Sequence, residues 1–356
     1  MTTAIEHLAT LTVHRDRDLL DVTLVHSMRE LFRPTQVAMY MLVGPPGNAQ
    51  RWLLRARLRA RDVAASSDPT WVRLDELPER STMPAHASCV EQQKVIRIDD
   101  VPVPDGSSAA GCTVLFPMAA HGEQATVLEL QCPGPFSNES LQTADSVLRV
   151  YRNFCGLLDY SERDTLTGLL NRKTFDESFY KTVQAAAQLP ALGRRQGLPG
   201  AADEPARTGH WLGVLDIDHF KQVNDRHGHL IGDEVLLLVG RIMRSTFRFQ
   251  DRLYRFGGEE FVVLLRCPGE NDAHCAFERL RANMEGYAFP QVGRVTVSIG
   301  FTEVLPGDTP TLAFERADKA VYHAKQHGRN QVCSHAALVE AGLLEAQQQS
   351  SEVELF

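Results

Sequence analysis

A chain of 356 residues, 43% hydrophobic and 23% charged, is long enough for two folded domains and has the balance of an ordinary globular protein. Its net charge of −8, from 37 basic and 45 acidic side chains, argues against non-specific nucleic-acid binding, which needs a basic face. The seven cysteines (Cys89, Cys112, Cys132, Cys155, Cys267, Cys275 and Cys333) are scattered without a C-x-x-C pair, which argues against a disulfide framework or a structural zinc site. No apolar run reaches the roughly 18–20 residues that span a bilayer. The first residues, Met-Thr-Thr-Ala-Ile-Glu-His, lack the basic and apolar regions of a secretion signal. A cytoplasmic protein without membrane insertion is expected.

Residues 1–136 read as one α/β domain. Leu20, Leu24, Met28 and Leu31 form a helical stripe within 19–32. Residues 37–43 read as a buried strand and 51–58 as an alternating one. Residues 62–82 are polar and loop-like. Short strands are expected at 95–98, 113–118 and 125–131, the last two around a His121-Gly122 turn. His86, Cys89, Cys112 and Cys132 lack the spacing of haem or metal ligands and are read as packing or surface positions.

A helix is expected from Ser137 onward, with Ser137 as N-cap and a Phe136–Leu141 staple. Leu141, Ala144, Leu148, Tyr151, Cys155 and Leu158 recur at heptad spacing. The expected element is a two-stranded parallel coiled coil over 137–163 that joins two domains across a dimer. An amphipathic helix packed on its own domain would show the same stripe.

The second domain is read over 164–336. A helix around Phe175 and Phe179 is followed by a long Gly/Pro/Arg-rich loop at 189–209. Next come an apolar strand at 211–217, a helix at 235–247, a glycine hairpin at 253–265, a helix at 273–284, a strand at 294–301, a helix at 312–327 and a strand near 331–332. The tail after Ala337 is expected to fray. Strands alternating with helices predict an α/β domain, in the α+β manner, whose mixed sheet is flanked by helices.

The richest stretch is Arg255-Phe256-Gly257-Gly258-Glu259-Glu260-Phe261. Two glycines at a tight turn let phosphate approach the backbone, and two carboxylates beside it suit a divalent cation. A plain Gly-Gly hairpin with a solvated acidic edge is the competing reading. Asp216 and Asp218 close the first strand and share a face by its period of two. Phe220 and Lys221 exclude a calcium loop there. Neither a Walker A loop nor a G-x-G-x-x-G fingerprint is present.

The ordered motifs resemble one family. Asp164-Thr165-Leu166-Thr167-Gly168-Leu169-Leu170-Asn171-Arg172 is similar to the opening motif of GGDEF-family diguanylate cyclases. Asp216 to Asp225, Gly228-His229, Gly232-Asp233, Gly257-Gly258-Glu259-Glu260-Phe261, Thr296 to Gly300, Ala317 to Lys325 and Gly328-Arg329-Asn330 continue the pattern over about half the chain. Residues 1–136 resemble, by pattern alone, a GAF-like or alternatively PAS-like sensory domain.

The resemblance implies condensation of two GTP into cyclic di-GMP and two pyrophosphates by a homodimer, with two Mg2+ or Mn2+ ions per active site. It implies metal binding by Asp216, the Ile217 carbonyl, Glu259 and Glu260, and catalysis through Asp216, Glu259 and Glu260. It places GTP on Phe220, Lys221, Asn224, Asp233, Gly257, Gly258, Lys325 and Arg329, with Asn224 and Asp233 on guanine and the cationic side chains on phosphate. Arg248 and Asp251, an R-x-x-D separated from Gly257 by five residues, match the family's inhibitory product site. Asp225 and Asp318 are read as structural, and Arg255 as either a carboxylate partner or a phosphate contact. A small-molecule or protein signal is expected at the N-terminal domain. The alternative is a catalytically inactive receptor for GTP or cyclic di-GMP.

Overall fold

A computed structural model describes residues 4–12, 16–45, 49–68, 72–102, 110–118, 125–188 and 208–345. The chain divides into two compact units, Met1–Ser161 and Glu162–Phe356.

The first unit runs α1 (Ala4–Leu11), α2 (Arg17–Phe32), β1 (Gln36–Val43), β2 (Arg51–Arg59), α3 (Pro84–Gln92), β3 (Ile96–Pro102), β4 (Ala110–Pro117), β5 (Thr126–Cys132) and α4 (Asn138–Glu162). Its five strands form one antiparallel sheet in the order β2-β1-β5-β4-β3. Helices α2 and α4 bury their apolar stripes on one face through Leu20, Leu24, Met28, Ala144, Leu148 and Leu158. On the other face, Cys89 of α3 packs with Leu42, Trp52, Leu115 and Val127. The helix at 84–92 starts on Pro84 in its first turn, where a missing N–H costs nothing.

The heptad expectation is corrected here. Ala144, Leu148, Tyr151, Cys155 and Leu158 are buried in the first unit's own core, and Leu141 packs against it. An a/d stripe and a helix lying on a sheet need the same spacing, and in this chain the sheet takes it. Polar ties fasten the helix as well. Tyr151 Oη donates to Asp21, which also accepts from Arg55 Nε at 2.9 Å. Left outside are Leu157 and Tyr160, 67% and 78% exposed.

The second unit runs β6 (Leu170–Asn171), α5 (Arg172–Gln188), β7 (Gly209–Ile217), α6 (Phe220–His227), α7 (His229–Thr246), β8 (Arg252–Gly257), β9 (Glu260–Cys267) and α8 (Glu270–Gly286). It continues with β10 (Ala288–Phe289), β11 (Gly293–Arg294), β12 (Val297–Glu303), α9 (Pro310–Gln326), β13 (Val332–Ser334) and α10 (His335–Glu340). A six-stranded mixed sheet has the order β13-β12-β7-β9-β8-β6, with only the β12–β13 and β6–β8 pairs parallel.

Helices cover both faces. Trp211, Leu215 and Ile217 of β7 point toward α7 and α8. Leu212 and Val214 point toward α5 and α9. By that alternation Asp216 belongs to the α9 face. Gly300 lets α9 lie directly on β12, since a Cβ there would sit 2.2 Å from the Ala317 carbonyl oxygen.

Residues 335–340 are helical and Leu344 packs against the cluster of Ala320, Ala324, Cys333 and Leu338, so order extends past the expected fraying point at 337. The expected 189–209 loop lies outside the described residues except for its last two, 208–209. The His121-Gly122 turn and the last tail residues, 346–356, lie wholly outside them.

Candidate active site

Two strand ends and one helix build the site. Asp216 closes β7, and its register partner on β9 is Glu260. Cross-strand partners share a face, so both carboxylates come to the α9 side. Beyond them the β8–β9 turn places Gly257 and Gly258 at φ 143° and 54°, a region glycine adopts without a Cβ penalty. A Cβ built on either would meet nothing within 4 Å, so the turn faces open space. The Ile217 amide donates to the Glu259 carbonyl at 3.4 Å, tying the strand end to the turn.

Asp216 is 8% exposed, and Lys325 Nζ of α9 lies 2.7 Å from its Oδ2. Burial raises the Asp216 pKa, Lys325 opposes that, and the charges of Asp218 and Asp318 add to it. Glu259 is raised by partial burial and then by Asp216. Glu260 is raised by partial burial, Asp216 and Asp318. These carboxylates crowd one another, and a hard divalent cation would relieve that crowding. Among the described residues no three carboxylate, imidazole or thiol side chains already converge as a metal cage. A cation here would compete with Lys325 for Asp216.

Asp218 stays on the Asp216 face, as strand parity predicts, but its oxygens are already taken. It accepts from the hydroxyls of Thr296 and Ser298, each at 2.7 Å, and from the Asn330 amide at 3.0 Å. It thereby fastens the 328–330 loop, where Arg329 is exposed at φ 61°. The α6–α7 turn brings Asn224 against Gly232, the residue before Asp233. A Cβ on Gly232 would lie 1.9 Å from Asn224 Oδ1, so only glycine permits this approach. Phe220 is buried in the α7/α8-side core, whereas Lys221 is exposed on α6.

Arg255 resolves to a carboxylate partner. Its Nη1 donates to both oxygens of Asp164, at 3.0 and 3.2 Å. Arg248 and Asp251 form a tight turn instead of a side-chain pair. The Arg248 amide donates to Asp251 Oδ2 at 2.8 Å, and the Arg248 side chain is exposed.

Sequence reasoning missed two members of the site. Asp318 was expected to be structural, yet it stands near enough to raise both Asp216 and Glu260. It lies seven residues before Lys325, two turns along one helix face, which is the signal that could have found it. Arg172 lowers Glu260 and stacks 5.5 Å over Phe256.

The fold and site define an α/β unit suited to a polyphosphate and a hard cation: clustered carboxylates, an open glycine turn and a lysine at the ends of the central strands. Residues 201–331 match the family model described as "Diguanylate cyclase, GGDEF domain". Among known proteins the chain is similar to diguanylate cyclase DgcP of Pseudomonas aeruginosa, 38% identical over 48% of this chain and 23% of that protein. It is similar to diguanylate cyclase DgcZ of Escherichia coli K12, 34% identical over 48% of this chain and 52% of that one. A solved GGDEF domain of DgcB from Caulobacter crescentus, in complex with c-di-GMP, is 31% identical, covering 49% of this chain and 96% of that one at a TM-score of 0.42. The chain thus spans between 23% and 52% of the length of these two curated relatives. Its C-terminal unit carries a GGDEF diguanylate cyclase domain. No helix among the described residues is long and apolar enough to cross a membrane.

Proposed function

We propose that the chain is a diguanylate cyclase that condenses two GTP into cyclic di-GMP and two pyrophosphates. The observation that carries this reading is the Asp216–Glu260 strand pair, with Glu259 beside it and Lys325 opposing the charge. In the reaction the 3′-oxygen of one GTP bonds to the α-phosphorus of the other, the bond to pyrophosphate breaks, and the hydroxyl proton leaves. Repeating this in the opposite direction closes the ring.

Asp216, the Ile217 carbonyl, Glu259 and Glu260 would hold Mg2+ or Mn2+, whose chemistry there is to neutralise phosphate charge as it develops. Lys325 exchanges its Asp216 contact for phosphate, and Lys221 and Arg329 supply further positive charge. Asn224 and Asp233 present an amide and a carboxylate to the guanine edge. The close approach of Asn224 to Gly232, next to Asp233 in the chain, supports that role. Glu259 and Glu260, with raised pKa values, are the candidates for accepting the hydroxyl proton.

Each domain holds one GTP, so the reaction needs two copies of the chain. Leu157 and Tyr160, the exposed apolar residues near the end of α4, are the surface we assign to that pairing. Arg248 and Asp251 are the proposed product-inhibition site. The first unit is proposed to be a GAF-like regulatory domain. Its sheet order β2-β1-β5-β4-β3, with α2 and α4 on one face and α3 on the other, supports this reading. Its input is a small molecule or a protein.

The test is incubation of the purified chain with GTP and Mg2+, with products separated by chromatography, for wild type and Arg248→Ala. Cyclic di-GMP that accumulates and stalls in wild type but continues in the variant supports enzyme and product site together. GTP binding without turnover in a confirmed dimer, under either cation, would favour the receptor reading.

A further inference from the structure

His323 and His327 stand one helical turn apart at the end of α9, with ring centroids 3.9 Å apart and planes inclined by 16°. His327 Nδ1 lies 2.9 Å from the His323 carbonyl oxygen. A carbonyl oxygen only accepts, so Nδ1 carries the proton, and the lone pair of the neutral ring sits on Nε2. Metal-bound imidazoles are oriented in this way, one ring nitrogen donating to a carbonyl while the other faces the ion. Burial and the neighbouring His327 hold the His323 pKa below its usual value.

We propose that His323 and His327 chelate one divalent transition cation of the Zn2+ or Ni2+ class on the outer surface of α9. Nitrogen ligands bind such ions at about 2.0–2.1 Å, and imidazoles four residues apart on one helix face can converge on one ion once the rings turn out of their stack. Water completes the coordination. Mg2+ prefers oxygen and does not compete, so this site is chemically separate from the carboxylate cluster at Asp216. It stands close in sequence to two proposed phosphate contacts, with Lys325 two residues from either histidine and Arg329 two residues past His327.

The experiment is calorimetric titration of the tag-free full-length chain with Zn2+ and separately Ni2+, under a non-chelating reductant. It compares wild type, His323→Asn, His327→Asn and a control, His274→Asn/Cys275→Ser, which removes another exposed imidazole and thiol. Wild type and control should bind one cation more tightly than either histidine variant, by about tenfold or more. In a long-range nitrogen–proton spectrum, His327 Nε2 should shift when metal is added. Metal-free thermal unfolding of the variants should match wild type, since both residues lie on the helix surface. Absence of binding in wild type, equal binding in the histidine variants, or loss confined to the control would overturn the proposal. None of these outcomes depends on turnover.

Discussion

Arg255 grips Asp164 and the Gly258 carbonyl at the same time. Its Nη1 donates to both Asp164 oxygens, and its Nε and Nη2 donate to Gly258 at 3.2 and 2.9 Å. Asp164 is itself fixed by the Thr167 amide and hydroxyl, at 2.8 and 2.7 Å. The glycine turn beside Glu259 is therefore held from the first residues of the domain, 91 positions away.

Arg255→Ala should leave the turn unheld and lower turnover by about tenfold to a hundredfold, with GTP affinity less affected. Arg255→Lys should restore little, because one ammonium cannot span both partners. Steady-state kcat and KM for the two variants check this. Equal kcat in Arg255→Ala and wild type would remove the positioning role.

The same pair sets a pH dependence. Burial pushes the Asp164 carboxyl up, but the Thr167 hydroxyl and amide and Arg255 outweigh it, so its pKa lies below 3.8. A depressed carboxyl stabilises the fold fully above its unfolded pKa of about 3.9, and that contribution is lost as pH falls through the folded value. Asp164→Asn should therefore be less stable than wild type near neutrality, with the two converging below about pH 4. Denaturant melts across pH read this directly.

Local pattern carried much of the structure into the sequence. Alternating apolar residues mark β7, and the Gly257-Gly258 turn with Asp216 marks the carboxylate cluster, from sequence alone. What stayed hidden depends on tertiary partners. Asp218 and Asp216 look equivalent on one strand, yet Ser298, Thr296 and Asn330 consume one and leave the other to Lys325. Helix α3 has no strong apolar period, and it escaped notice because only the sheet beneath it decides its face. The heptad of α4 was legible as spacing, but spacing does not say whether a sheet or a second helix fills it.

Neutralising one crowded carboxylate should separate stability from activity. The Glu260 pKa is raised above 4.5 by partial burial, Asp216 and Asp318. A raised carboxyl favours the fold below its unfolded pKa, and that advantage is lost as pH rises through the folded value. Glu260→Gln should thus melt about 1–3 °C above wild type in metal-free buffer near pH 8, and equally near pH 4. Mg2+ should narrow the gap by stabilising wild type more. Turnover should fall by about a hundredfold or more. A lower melting temperature in the metal-free variant would contradict the crowding account.

Gly232→Ala tests how Asn224 is placed. The added Cβ would lie 1.9 Å from Asn224 Oδ1, so the amide must swing away. Loss of one guanine contact, about 1.4 kcal/mol, should raise KM for GTP about tenfold with a smaller change in kcat. Helix content should hold, since alanine favours a helix more than glycine does. A rise in KM for inosine triphosphate as large as that for GTP would show that the exocyclic amino group is not what Asn224 reads.

Leu148 distinguishes the two uses of the α4 stripe. It is fully buried among α2, α4 and the first sheet. Truncation to alanine should cost the first unit about 2–5 kcal/mol, the usual range for a leucine removed from a packed core. A core residue gives a loss independent of protein concentration, whereas an interchain residue gives one that grows on dilution. Leu157→Asp should do the opposite, because its side chain is exposed within one copy. It should leave melting of the dilute chain unchanged, weaken self-association in sedimentation, and lower specific activity most at low concentration. If Leu157→Asp self-associates as wild type does, the pairing surface lies elsewhere than the end of α4. If Leu148→Ala melts normally at high concentration and poorly when dilute, the stripe serves a second chain after all.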